Sequence, residues 1–199
     1  NADGRAVTAD EEPVFVEQSI FDRIPDKVGH HAGTIASLPD GELLAAWYSY
    51  LGPDELNGAS IYMARRPAGQ DQWSPPVQIT NRPEPCGNPV LYAEGDRVWL
   101  FHAVVPLLGW SLGHIELEES ADRGNTWSSP LVISDLFGSN VRYPPLRTND
   151  GGLLLPAYDD LVRRALFFYS ADGQTWFCRS ALSTGHPYSC IQPSLARCH

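Results

Sequence analysis

The run Ser120-Ala121-Asp122-Arg123-Gly124-Asn125-Thr126-Trp127 returns, one residue shorter, as Ser170-Ala171-Asp172-Gly173-Gln174-Thr175-Trp176. A turn repeated at a spacing of about fifty residues marks a repeat architecture. Its composition follows from its chemistry. Ser and Asp bond nearby backbone N–H groups, Gly supplies the positive φ of a tight reversal, and Thr-Trp begins a strand. A degenerate copy, Pro67-Ala68-Gly69-Gln70-Asp71-Gln72-Trp73, keeps the Trp. Trp73, Trp127 and Trp176 are thus 54 and 49 residues apart.

A second column keeps the same rhythm. Short extended segments begin at Gly33, Asn88, Tyr143 and Gln192, and the first three run into turns at Asp40-Gly41, Glu94-Gly95 and Asp150-Gly151. After each turn comes a nearly continuous apolar run, Leu43–Tyr48, Val98–His102 and Leu153–Tyr158, as expected of strands buried on both faces. Third strands follow near Ala59–Ala64, Gly113–Ser120 and Ala165–Ser170. No segment shows a convincing 3.6-residue apolar period. The sequence therefore predicts an all-β chain, a β-propeller of four-stranded blades with about three and a half blades present. Residues 1–13 read as a loose polar leader, and 14–199 as propeller, with Val14–Glu17 available as an outer strand. Because the blade count does not close, either further C-terminal blades or self-association is expected.

Composition narrows the partners. A formal charge of −10, with no basic stripe, argues against nucleic acid. It also means that an anionic sugar would need locally placed Arg residues. No segment approaches a membrane span. Cys86, Cys178, Cys190 and Cys198 show no C-x-x-C metal pattern, so neither metal nor cofactor is expected; one disulfide among the last three, or free thiols, are both compatible. The absence of a signal-peptide pattern fits a mature secreted or periplasmic chain or a cytoplasmic one, with the former slightly preferred.

The Ser-x-Asp-x-Gly-x-Thr-Trp turns resemble the Asp boxes, or bacterial neuraminidase repeats, of the sialidase superfamily. The wider run resembles its predicted-neuraminidase branch: His30-His31-Ala32-Gly33-Thr34-Ile35, Asn88-Pro89-Val90, Leu155-Pro156-Ala157-Tyr158 and Cys190-Ile191-Gln192-Pro193-Ser194. The resemblance covers about residues 28–199. It implies a six-bladed full-length propeller, Asp boxes on the side opposite the substrate, and Asp122 and Asp172 as turn formers. It also implies a site built from an Arg triad, a Tyr–Glu pair and a carboxylic acid/base. Sialidases are an exception to the two-carboxylate pattern of glycosidases.

Arg23-Ile24-Pro25 imitates the start of the first sialidase strand, but in the family that Arg lies about nine residues before the Asp-Gly turn. Here that place is held by His31. Asp54 and Glu55 occupy the loop where the family carries its acid/base, against a reading as solvated loop carboxylates. His31 is either a general acid/base or a structural histidine. Tyr143 begins the third inner strand and is a candidate catalytic Tyr. Arg142 could clamp a carboxylate or form a surface ion pair; Asn88 and Gln192 could bond sugar hydroxyls or cap strands. His102 and Tyr158, ending second strands on the same side of the disc by pattern, are candidate substrate-binding residues, against a reading as core or rim contacts.

Three functions remain open at this level. The first is a glycosidase resembling exo-sialidases, acting on a glycan with a terminal, acidic sugar. The second is a polysaccharide lyase-like enzyme on uronic-acid glycans, and the third a non-catalytic carbohydrate-binding propeller. Replacement of the first Arg by His31 favours the second over a strict sialidase.

Overall fold

The computed structural model describes residues 15–106, 109–182 and 190–198. The apolar runs and their turns form three antiparallel sheets of one design. The first contains β1 (Gly29–Ser37), β2 (Leu43–Tyr50), β3 (Ser60–Arg66) and β4 (Val77–Gln78) in that order. The second contains β5 (Cys86–Glu94), β6 (Arg97–Val104), β7 (His114–Ser120) and β8 (Leu131–Ser134). In the third, the inner strand is split into β9 (Ser139–Val141) and β10 (Leu146–Arg147), both paired with β11 (Leu153–Asp159), followed by β12 (Arg164–Ser170) and β13 (Phe177–Leu182). The split falls at Pro144 and Pro145, which have no N–H to give to a ladder. These are three successive β-propeller blades, and the helical element among the described residues is a single 3-10 turn at Trp110–Leu112.

Burial explains the apolar runs. Leu44 to Ser49 of β2 are all buried, since one face of the strand meets the second blade and the other meets Ile20, Phe21, Ile24 and Trp73. Between the first two blades lie Leu44, Ala46, Tyr48, Ile61 and Met63 against Leu91, Val98, Leu100 and Val104. Between the second and third, Val90, Trp99, Phe101 and Ile115 pack on Leu155, Ala157, Leu166 and Phe168.

The repeated Trp residues are wedges at these seams. Trp127 of the second blade packs on the first seam, and Trp176 of the third packs on the second, edge-on to Phe101 at 5.4 Å. Trp73 of the first blade packs on the blade's other face with Trp47, Tyr62 and Ile24. Ile24, from the Arg23-Ile24-Pro25 imitation, is therefore a packing residue here. Each turn also reaches the preceding blade: Arg123 bonds Asp40 and Glu42 at 2.5 and 2.9 Å, and Gln174 bonds Glu119 at 2.8 Å.

Within the turns, Asp122 Oδ1 accepts from the backbone N–H groups of Asn125 and Thr126, and Oδ2 from the Thr126 hydroxyl. Ser120 Oγ accepts from the N–H of Gly124, which takes φ 75°. Asp172 repeats the pattern with Gln174 and Thr175. Backbone donors first, then hydroxyls, hold both carboxyls down at about 2. Since the folded values lie below the ordinary 3.8, this stabilisation is complete above that range and lost as pH falls through about 2. Asp122→Asn is expected to lower the melting temperature by a few degrees at pH 7 and much less at pH 2, as calorimetry would show.

One expectation changes in register. Val98, Leu100 and Val104 face the first blade, and strand alternation sends His102 with them. It is fully buried and paired with Glu118 at 3.1 Å, between blades rather than at a rim. The residue matching Tyr48 and Tyr158 at steps of 55 is Ala103; an offset of one residue turned His102 to the other face. At the ends, Phe15–Glu17 and residues 190–198 form no strand, while the expected leader, 1–13, and Val14 lie outside the described residues. All four cysteines are free thiols.

Candidate functional site

Each inner strand is kinked near its start. β1 shifts register between His31 and Thr34, with Ala32 at φ 57°; β5 shifts between Gly87 and Val90, with Asn88 at φ 49°. Gln192 repeats the left-handed conformation at φ 56°. Ala32, rather than Gly33, is thus the structural counterpart of Asn88. Such bulges leave a residue unpaired and re-aim its neighbours, and left-handed non-glycine backbone is concentrated at functional sites. Here they bring side chains from separate blades together at the strand ends.

The first group centres on Glu55, from the loop after β2. Tyr48 donates its hydroxyl to Glu55 Oε2 at 2.9 Å, and Trp110 of the second blade donates Nε1–H to Oε1 at 2.6 Å. His31 Nδ1 lies 2.9 Å from the Tyr48 oxygen and 3.4 Å from Glu55 Oε2. Burial, followed by the bond to Glu55, holds the Tyr48 hydroxyl protonated far above its ordinary range. Glu55, Trp110, Leu56, Pro85 and Val105 also line a cleft of about 480 Å³ between the loops of the first two blades.

Tyr158 organises the second group. Asn88 Nδ2 lies 3.3 Å from the Tyr158 hydroxyl and from Asn140 Oδ1, and Asn140 Nδ2 in turn donates to the backbone oxygen of Trp110 at 3.2 Å. Burial and then Asp160 push the Tyr158 hydroxyl up to about 12, while the Gln192 amide, Arg142 and Asn88 oppose that shift. Asp160 accepts from Ser111 at 2.8 Å. Trp110 links the two groups, its indole donating to Glu55 and its backbone oxygen accepting from Asn140.

Of the residues read from the sequence, His31 and Glu55 meet in the first group and Asn88 and Tyr158 in the second, where the Gln192 amide and the Arg142 charge act on the Tyr158 hydroxyl. Asp54 lines the same cleft as Glu55 without joining its hydrogen bonds: its Oδ1 accepts the Leu56 N–H at 2.9 Å and shapes the loop. Tyr143 is 43% exposed in the gap between β9 and β10. His102 is in the blade seam. Tyr48, Trp110, Asn140 and Asp160 were missed. Tyr48 carried a usable signal, since it stands two 55-residue steps before Tyr158; Trp110 lies in a variable loop with no repeat counterpart. Among the described residues, no group of three or more His, Cys, Asp or Glu could hold a metal ion.

Gly87 gives Trp110 its place. A β-carbon at Gly87 would come within 2.4 Å of the Trp110 ring. Gly87→Ala is expected to displace the indole and break its bond to Glu55 while leaving the blade intact. A lost Trp110 indole N–H resonance position with an unchanged circular-dichroism spectrum would show this.

The repeat-bearing architecture is matched by a known family: the BNR repeat-like domain covers residues 41–199. The chain belongs to the BNR repeat-like family. No curated protein sequence matches it. Among solved structures, Hadza microbial sialidase is 19% identical with a TM-score of 0.67, over 79% of this chain and 38% of that one. A leech intramolecular trans-sialidase, complexed with 2,7-anhydro-Neu5Ac, is 12% identical with a TM-score of 0.69, over 83% and 46%. A protein of unknown function from Dyadobacter fermentans is 15% identical with a TM-score of 0.66, over 80% and 56%. The BNR chain thus spans about 38–56% of the length of these structures and shares the sialidase propeller fold with them.

Proposed function

We propose that the protein is a carbohydrate-active enzyme that hydrolyses the bond to a terminal acidic sugar, with its acid–base chemistry in the Glu55–His31 group. The observation that carries this reading is the bonding of Glu55: both carboxyl oxygens are engaged and an imidazole stands 3.4 Å away, at the mouth of an open cleft. A histidine linked to a carboxylate through the Tyr48 hydroxyl offers groups for acid–base work. Arg142 and the amides around Tyr158 supply a cationic and polar side for a carboxylate and hydroxyls. The sialidase and trans-sialidase among the structural neighbours fit a glycan substrate; their low identity carries only the fold.

The test is fluorogenic sialosides and uronides offered to the full-length protein. Release from at least one of them supports hydrolysis; glycan binding with no release from any sinks it in favour of a binding propeller. A second reading, elimination on uronic-acid glycans, is favoured by the His31–Tyr48 contact of 2.9 Å at the position where the resemblance places an Arg. That reaction would make an unsaturated uronate, visible by its ultraviolet absorbance.

A further inference from the structure

Resting on the reading of an acid–base site at Glu55, we propose that His31 Nε2 is the proton-accepting atom, and that Tyr48, Glu55 and Trp110 are positioning residues that fix its tautomer. The assignment follows from counting donors. An indole Nε1 can only donate, so Trp110 fixes Glu55 Oε1 as an acceptor at 2.6 Å. The Tyr48 hydroxyl has one proton, and it goes to Glu55 Oε2 at 2.9 Å, since a bond to a carboxylate is the stronger choice. The Tyr48 oxygen can then only accept along its 2.9 Å contact with His31 Nδ1. Nδ1 must therefore carry the hydrogen. In neutral imidazole one nitrogen donates and the other accepts, so Nε2 is left with its lone pair.

Exposure agrees with that role. The His31 side chain is 65% exposed, and no hydrogen bond among the described residues occupies Nε2. The adjacent His30 is different: its Nδ1 is 2.8 Å from Ser49 Oγ and its ring packs edge-on to Phe21. Tyr48 is itself almost fully buried, so it relays position and is not available to a substrate. A carboxylate that orients an imidazole through its far nitrogen is a known way to set a general base.

The step balances simply. An O–H of water gives its proton to the Nε2 lone pair; the oxygen uses the freed pair to bond the anomeric carbon as the glycosidic C–O bond breaks, and the leaving oxygen takes a proton from the imidazolium or from solvent. The ring becomes an imidazolium protonated at both nitrogens, with its charge beside Glu55 at 3.4 Å.

The test is long-range proton–nitrogen NMR on the full protein labelled with nitrogen-15 histidine, recorded near pH 8. The expected result is an Nδ1–H tautomer at His31 with a bare, pyridine-like Nε2. Tyr48→Phe, which removes the relay and keeps the ring, is expected to shift His31 toward the Nε2–H tautomer and to lower kcat by about 10-fold or more with KM little changed. An Nε2–H tautomer in the unmodified protein, or a tautomer indifferent to Tyr48→Phe, overturns the inference whatever the activity. An Nδ1–H tautomer without turnover of any glycan supports the hydrogen-bond assignment and defeats the hydrolase reading instead.

Discussion

Glu55→Gln is expected to reduce turnover by about 10²–10⁴-fold, the range for disabling an acid–base group, because it removes the carboxylate that orients His31 and balances its charge. The change is nearly isosteric, so the fold should not alter, but its hydrogen bonding is wrong. Glu55 accepts at both oxygens, from Trp110 and from Tyr48. A Gln has one carbonyl oxygen and one NH2, so one of those two donors must face another donor. If the amide turns toward Tyr48, the phenol loses its acceptor and His31 loses the partner that fixes its proton. If it turns toward Trp110, the indole is displaced. In either case the charge that would balance an imidazolium is gone. Steady-state kinetics on the glycan that the full protein turns over would check this, with KM changing far less than kcat; activity within about three-fold of the unmodified protein would remove Glu55 from the reaction.

Phe101→Ala should be the most damaging change to stability, by about 3–5 kcal/mol. Phe101 has no exposed surface and stands in the seam between the second and third blades, where Trp176 meets it edge-on. Truncation leaves a hole between two sheets, and sheets tied by their own ladders cannot collapse to fill it. The aromatic contact is lost in addition. Phe101→Leu retains most of the volume and should cost less than half as much. Denaturant midpoints for the two variants would test the order. Equal and small losses would mean that the seam does not hold the blades together.

The fold was legible because repeated turns need particular residues. Asp122 and Asp172 each satisfy several local donors, and Gly124 takes a conformation that Gly accepts without strain, so the same letters recur wherever the turn recurs. The apolar second strands were legible for a similar reason, since burial on both faces leaves little choice of side chain. Within the candidate site, His31 and Glu55 could be found by their place relative to a turn. His102 was assigned to the wrong side because a shift of one residue in a strand reverses the face. Trp110 was out of reach, because its contact with Glu55 joins two loops of different blades across 55 residues, and no local pattern encodes that meeting. The left-handed Ala32 and Asn88 were equally hidden, since neither residue type demands the conformation that the bulge imposes.

Glycans are expected to meet this protein at the Glu55 group and not at the repeated turns. Nitrogen-15 NMR of the indole N–H groups during titration with acidic oligosaccharides tests it most directly, because the Trp residues report on both regions at once. The Trp110 resonance is predicted to move with saturable dependence on ligand, while Trp127 and Trp176 stay in place. Movement of Trp127 or Trp176 with Trp110 unchanged would contradict the account.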